Sequence, residues 1–256
     1  MIFTYKNVSL DIIGYDENDF IYTEIKRTNT FYELELLEYI NVFHSDKENI
    51  MIDVGANIGN HSIFFSKFLS NHVVSVEPNP EVLPILKKNL IKNKINGEIL
   101  EFALGEKKSK AGINMPENSN QNIGMAKISE NDGDIDIITL DSVTSNLDIL
   151  TSKTITNVSL IKIDVEGMEL AVLKGGEKTI NKYKPSLFIE AATESHLFNL
   201  TEYLDTLGYK PLTNLAGTPV YHFAHSPSLN TILLAKLAKV FFKIKHRVIL
   251  KRFKHN

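Results

Sequence analysis

Ile50-Met51-Ile52-Asp53-Val54-Gly55-Ala56-Asn57-Ile58-Gly59-Asn60, with Val73-Val74-Ser75-Val76-Glu77-Pro78 downstream of it, sets the architecture of this chain. An apolar strand, a glycine turn, a helix and a second strand ending in a carboxylate form the layout that seats a nucleoside against the edge of a parallel sheet. The alternation continues outward. Strands are expected near residues 50–54, 73–77, 98–103, 159–164 and 186–191, and helices near 59–69, 80–93, 167–182 and 194–207. Leu160-Ile161-Lys162-Ile163 and Ser186-Leu187-Phe188-Ile189 are nearly continuous apolar runs, as a parallel sheet covered on both faces requires. The pattern predicts an α/β sandwich with right-handed crossovers. Tyr209 to Leu215 and Pro219 to Phe223, joined by Ala216-Gly217-Thr218, read as a terminal antiparallel hairpin.

Additions extend this core at both ends. Residues 1–28 alternate loosely, as in Val8-Ser9-Leu10-Asp11-Ile12 and Phe20-Ile21-Tyr22, around Gly14 and Asp16-Glu17-Asn18-Asp19, which predicts a short hairpin. Thr30-Phe31-Tyr32-Glu33 has capping-box spacing ahead of Leu34, Leu37, Ile40 and Val42, so a helix is expected over about 31–43. The organisation is then a hairpin and helix over 1–48, a main α/β domain over 49–225 and a basic amphipathic helix over 226–256. Within the main domain, residues 106–134 are rich in Asn and Gly and poor in large apolar side chains. They are too long for an ordinary turn and form either a substrate-covering insertion or a disordered loop, with Asn122 a candidate acceptor contact. Ile135-Asp136-Ile137-Ile138-Thr139-Leu140 resumes a strand-like run, and no internal repeat is visible.

At 256 residues, 43% hydrophobic and 9% aromatic, the chain suits one domain with additions and can fill a sizeable core. It has no cysteine, which excludes disulfides, thiolate metal sites and a cysteine nucleophile and permits a reducing compartment. Met1-Ile2-Phe3-Thr4-Tyr5-Lys6 is not a basic segment leading into an apolar run, and no stretch approaches the ~18 apolar residues of a spanning helix. A cytoplasmic protein is expected. The net charge of −3 hides an asymmetry, because residues 206–256 carry nine Lys/Arg and no Asp/Glu against 19 Lys/Arg and 31 Asp/Glu before them.

Gly55 and Gly59 remove side chains where the chain turns from strand to helix, so a ligand can approach backbone N–H groups at the start of the helix. The spacing lacks the Gly-x-Gly-x-x-Gly turn that cradles a pyrophosphate, which disfavours NAD or FAD. An adenosine cofactor without phosphate needs carboxylates instead. Asp53, at the last inward position of the first strand, can meet a ligand ammonium or its bound water. Glu77, 22 residues after Gly55, can accept both ribose hydroxyls. The combination fits S-adenosyl-L-methionine. Glu101-Phe102-Ala103 ends the third strand where adenine would lie, leaving Phe102 either in the core or against the base.

A second constellation, Ser159-Leu160-Ile161-Lys162-Ile163-Asp164-Val165-Glu166-Gly167-Met168-Glu169-Leu170-Ala171-Val172-Leu173-Lys174-Gly175-Gly176, delivers Asp164 and Glu166 to the carboxyl edge of the sheet, where open α/β sheets bind ligands. Gly175-Gly176 is expected on the exposed side of the helix that follows. The Ile52 to Gly59 run, Val76-Glu77-Pro78, Thr139-Leu140-Asp141 and the Ile161 to Glu169 run with Leu173-Lys174-Gly175, in this order over roughly residues 30–192, resemble the FkbM family of S-adenosylmethionine-dependent methyltransferases. The resemblance implies a Rossmann-like class I methyltransferase fold, a doubly wound sheet of seven strands with the last antiparallel, and commonly O-methylation of a sugar or polyketide hydroxyl. By the same resemblance Asp53, Gly55, Asn57, Gly59 and Glu77 match cofactor positions, with Asn60 and Ala103 beside them. Asp164 and Glu166 match the acidic motif at the reacting end, and Tyr32 and Glu33 match a Tyr/Phe-Glu pair ahead of the first motif, although Glu33 serves equally as a helix cap. Ala192 stands where many members carry His or Asn, so no base is expected there, and the residues before Ala103 are not the Asp-Ala pair of many methyltransferases.

Methyl transfer from a sulfonium is an in-line displacement that needs a positioned acceptor and a proton acceptor. Asp164 and Glu166 are candidates to orient the acceptor, and Glu190 is the next candidate base, since neighbouring carboxylates can raise one another's pKa. His61 and His196 read as helix-surface residues, and no His/Asp/Glu spacing marks a metal site. The acceptor class expected is a sugar or glycan precursor in surface polysaccharide or secondary metabolite biosynthesis. The rivals are N-methylation of an amine or amide-like nitrogen, and a non-catalytic scaffold with this fold. Leu233, Leu237, Val240, Phe241, Ile244 and Val248 recur at helical spacing in the tail, with Lys236, Lys239, Lys243 and Arg247 on a flank. Such a helix packs on the body or across a homodimer, or docks on an anionic membrane, at its inner face, or on a partner enzyme. Nucleic acid is disfavoured because no aromatic platform accompanies the charge.

Overall fold

The computed structural model describes residues 1–44, 47–114, 127–130, 133–146 and 157–253. A hairpin of β1 (Ile2–Tyr5) and β2 (Val8–Asp11) leads to helices α1 (Phe20–Thr28) and α2 (Leu34–Phe43). β3 (Ile50–Val54), α3 (Asn60–Phe64, continued by a π-helical turn over Phe65–Leu69), β4 (His72–Val76), α4 (Leu83–Lys92) and β5 (Glu98–Leu100) follow. Next come β6 (Ala103–Leu104), β7 (Ser109–Asn114), β8 (Lys127–Glu130), β9 (Ile135–Ile138) and α5 (Leu140–Ser145). The last part comprises β10 (Val158–Ile163), α6 (Glu169–Lys174), α7 (Glu177–Tyr183), β11 (Ser186–Glu190), α8 (Glu194–Thr206), β12 (Tyr209–Leu215), β13 (Val220–His225) and α9 (Leu229–Phe253).

The main sheet has the order β12-β13-β11-β10-β3-β4-β5, with β13 antiparallel and the run from β11 to β5 parallel. Alternation along the strands divides the core. Met51, Val73, Leu160 and Phe188 face α2, α3, α4 and the N-terminal hairpin. Ile52, Val74, Ile161, Ile163 and Leu187 face α5 to α8. Each such side chain, fully buried, contributes about 1.5–3 kcal/mol, so both faces drive the fold. The chain winds out in opposite directions from β3 and β10, which opens a crevice at the carboxyl edge between them.

Several boundaries differ from the expected ones. Phe20-Ile21-Tyr22 begins a helix, because the Asp19 carboxylate accepts the Tyr22 N–H at 2.7 Å and so caps α1. α2 starts at Leu34, and Glu33 sits at its N-cap with φ 53° and no capping hydrogen bond from its side chain. The expected strand 98–103 divides at Glu101-Phe102, and β6 leaves the main sheet to pair with β9 in a smaller sheet ordered β6-β9-β7-β8. Residues 106–134 thus contribute β7 and β8 to a folded sheet, while 115–126, including Asn122, and 131–132 lie outside the described residues. The expected helix 167–182 breaks at Gly175-Gly176, which is buried rather than exposed. A Cβ on Gly175 would stand 2.0 Å from the Gly105 carbonyl oxygen, so only glycine permits that approach.

Candidate active site

Strand order places Glu190, Asp164, the Gly55–Gly59 turn and Glu77 side by side at the carboxyl edge, with Ala103 of the smaller sheet on the same cavity. Adjacent strands lie about 4.8 Å apart, so Asp164 and Glu77 are roughly 10 Å apart across β3, a nucleoside's width. A cavity of about 350 Å³ opens there. The turn is tied to β4 by the Gly55 and Ala56 N–H groups, both bonded to the Val76 carbonyl at 3.0 Å. Gly55 adopts φ +78°, and a Cβ there would meet the Asp164 carbonyl oxygen at 1.8 Å.

Glu77 lines the cavity with its carboxylate held by backbone, Oε2 accepting the Asn57 N–H at 2.8 Å and Oε1 the Asn79 N–H at 2.9 Å. Burial pushes its pKa up, against the opposing effect of those two donors. Asn57, Gly55 and Ala103 also line the cavity. Gly59 shapes the entry to α3 with φ +91°. Phe102 packs against the core on the α5–α8 face and is not among the cavity-lining residues.

Asp53 and Asn60 are engaged by other residues of the protein, and Asn60 also lines the cavity. Asp53 is fully buried beneath the cavity, accepting from Ser62 Oγ at 2.6 Å and facing Lys162 Nζ at 3.4 Å. In register, Asp53 lies directly beside Lys162 on the same face. Asn60 clasps the Tyr32 backbone through two hydrogen bonds of 3.0 Å. It thereby fixes Tyr32 and Glu33 as a wall of the cavity. Glu33 Oε2 lies 3.3 Å from His61 Nε2, so Glu33 does not cap α2 and His61 is buried in the site instead of on a helix surface.

Lys162 is only 2% exposed and also lies 3.3 Å from Asp164 Oδ2. Burial alone would discharge it, but Asp164, Asp53 and Glu33 hold its pKa above the ordinary lysine value. Burial likewise works against the charge on Asp164, yet Lys162 and a hydrogen bond with Glu190 hold its pKa below the usual carboxylate value. Glu190 is pushed up to about 9 by burial and by the charges of Asp164, Glu166 and Glu169. At neutral pH Glu190 is therefore the protonated partner and donates to Asp164.

Glu166 has φ +54°, a strained value for a side chain with a Cβ. Glu169 sustains it, its buried carboxylate accepting the N–H groups of Val165 and Gly167 at 3.2 Å and standing 3.2 Å from His196 Nε2. Lys162, His61, Glu169 and His196 were not anticipated as site residues. A lysine inside an apolar run was the one visible signal, since a buried charge must be paired. Asp164, Glu166 and Glu190 each bring an oxygen within 4.8 Å of the others, a grouping in space, invisible in the spacing, that can hold a metal ion.

Residues 53–211 match the methyltransferase FkbM domain. The hexuronic acid methyltransferase AglP of Haloferax volcanii is 29% identical over 131 residues, 51% of this chain and 51% of AglP, so the chain spans about half the length of that relative. The crystal structure of methyltransferase FkbM from Methylobacillus flagellatus KT shares the fold, with a TM-score of 0.50 and 22% identity over 71% of this chain and 44% of that one. The chain belongs to the methyltransferase FkbM family, and S-adenosyl-L-methionine is its cofactor. The residues present fit that group, since Asn57 Oδ1 is a buried acceptor without a hydrogen-bond partner beside the desolvated carboxylate of Glu77.

Proposed function

We propose that this FkbM-family methyltransferase methylates a hydroxyl on a sugar or glycan precursor, with Asp164 receiving the hydroxyl proton. The observation that carries this reading is Asp164 itself, ionised beside Lys162 and hydrogen-bonded to Glu190 in the cavity next to the glycine turn. Bound there, S-adenosyl-L-methionine supplies a methyl group activated by its sulfonium charge. Glu77 and Asn57 would hold its ribose, and Ala103 would flank its adenine. An alcohol proton becomes strongly acidic as the new C–O bond forms, so an ionised carboxylate within hydrogen-bond reach is base enough. Asp164 meets that need. Glu190 aims it, and Glu166, Tyr32 and Glu33 orient the acceptor across the cavity.

Among the described lining residues, Lys162 is the one lysine or arginine, and it is already engaged by two carboxylates. The wall presented by Glu33 and Glu166 is one of hydrogen-bond acceptors, which suits an acceptor rich in O–H donors. The similarity to a hexuronic acid methyltransferase supports carbohydrate chemistry. The test is transfer of isotope-labelled methyl to a panel of sugars, uronic acids, glycosides and amines. Label is expected in an ether on a hydroxyl acceptor, and label confined to amines would establish N-methylation instead. Asp164→Asn is expected to abolish turnover with cofactor affinity unchanged within about twofold, whereas Glu77→Ala weakens cofactor binding at least about tenfold, the worth of a hydrogen bond to a charged group.

A further inference from the structure

Helix α9 carries two apolar stripes, and the body of the protein uses one. Ala235, Ala238 and Phe242 are buried, and the helix packs on α2 and β12. Lys239 Nζ reaches Asn214 Oδ1 at 2.7 Å, while Lys245 Nζ and His246 Nε2 meet the Glu38 carboxylate at 2.6 and 3.0 Å. These contacts fix which side is turned away. On that side Leu233, Leu237, Val240, Phe241 and Ile244 are each 57–61% exposed. At 3.6 residues per turn they form one continuous stripe, and Lys236, Lys243 and Arg247 fall along a single edge of it, all exposed. A contiguous apolar strip left bare on a folded chain marks an interaction surface.

We propose that α9 lies flat on an anionic lipid surface, its outer apolar stripe in the headgroup boundary and Lys236, Lys243 and Arg247 against the lipid phosphates. Charge selects this occupant. Residues 206–256 hold nine Lys/Arg and no Asp/Glu, while the preceding residues hold 31 Asp/Glu against 19 Lys/Arg. An anionic surface therefore attracts this element and repels the rest, which sets the orientation. A second copy docked stripe to stripe would bring like-charged edges together. No helix among the described residues is long and apolar enough to cross a membrane, so α9 binds in the plane of the interface.

The test is sedimentation of the full chain with vesicles of phosphatidylcholine alone or with phosphatidylglycerol added. Binding is expected on the anionic vesicles only, falling steeply as salt shortens the screening length. Each cation near the surface raises affinity about fivefold, so Lys236→Glu with Lys243→Glu should reduce binding more than twentyfold. Leu237→Gln with Phe241→Gln should lose it by at least about tenfold, because two interfacial apolar side chains are removed. Both side chains are exposed, so unchanged circular dichroism and cofactor binding should accompany the loss. Equal binding to both vesicle types, or none to either, overturns the proposal. So does a dimer by light scattering that Leu237→Gln with Phe241→Gln converts to monomer without any vesicle binding.

Discussion

Glu190→Gln should make the protein more stable above neutrality while slowing catalysis. The folded protein holds the Glu190 proton up to about pH 9, whereas the unfolded chain releases it near the ordinary value of 4.5. Between those limits the native state binds a proton that the unfolded state lacks, so stability is fully present below pH 4.5 and is lost as pH rises toward 9. At about 1.36 kcal/mol per pH unit the full span sets an upper bound of about 6 kcal/mol. Glu190 is partly exposed and shares its proton with Asp164, so solvent screening and coupling reduce this to roughly 2–3 kcal/mol over the window. Glutamine mimics the protonated acid, still donates to Asp164, and does not titrate. Urea denaturation from pH 5.5 to 8.5 should show wild type losing about 2 kcal/mol more than Glu190→Gln. At pH 8 the variant should melt roughly 3–6 °C higher, by the usual conversion for a chain of this size. Parallel stability curves for the two proteins would refute the assignment of the shared proton.

Other perturbations test the remainder of the site. Lys162→Met leaves the fully buried Asp53 and the half-buried Asp164 without their counter-charge and should cost about 3–5 kcal/mol in chemical denaturation; a loss below about 1 kcal/mol by the same assay would mean that the cation is dispensable. Gly55→Ala forces a Cβ to within 1.8 Å of the Asp164 carbonyl oxygen in a left-handed conformation. It should destabilise by more than about 2 kcal/mol and reduce the melting-point rise that S-adenosyl-L-methionine produces, an unchanged rise counting against the turn as a cofactor cradle. Burial lowers His44 to about 4 and His222 to about 3, so both are neutral in the folded state. Their contribution is present above pH 6.5 and is lost as pH falls toward 4, at up to about 1.4 kcal/mol per pH unit for each. His222→Asn should flatten that acid limb, and an identical limb would contradict the burial argument.

What could be read from the chain divides by distance along it. β3, β4, β10 and β11 were legible to within a residue or so, because a parallel strand covered on both faces is an apolar run bounded by turn residues. The Gly55 turn, Glu77, Asp164 and Glu190 were legible because each lies at the end of such a run. Contacts between segments were not. Asn60 lines the cavity and is bonded to the Tyr32 backbone 28 residues away, and no local pattern encodes that clasp. The Thr30-to-Glu33 spacing satisfied a capping rule, but the Glu33 carboxylate makes no cap hydrogen bond and lies 3.3 Å from His61 Nε2 instead.

Polar residues inside apolar strands carry information that single motifs do not. Asp53, Ser75 and Lys162 interrupt three separate apolar runs, and a buried charge left unpaired at Asp53 or Lys162, or a buried hydroxyl left unbonded at Ser75, is costly. Once the three runs are assigned to one parallel sheet with β3 in the middle, the only economical arrangement sets these positions abreast. The register bears this out, pairing Lys162 with Asp53 and Asp53 with Ser75. The buried cation beneath the turn is then a consequence of topology, and it explains the chemistry above it. Lys162 takes up the charge of Asp53 and keeps Asp164 ionised, which leaves Glu190 to hold the proton.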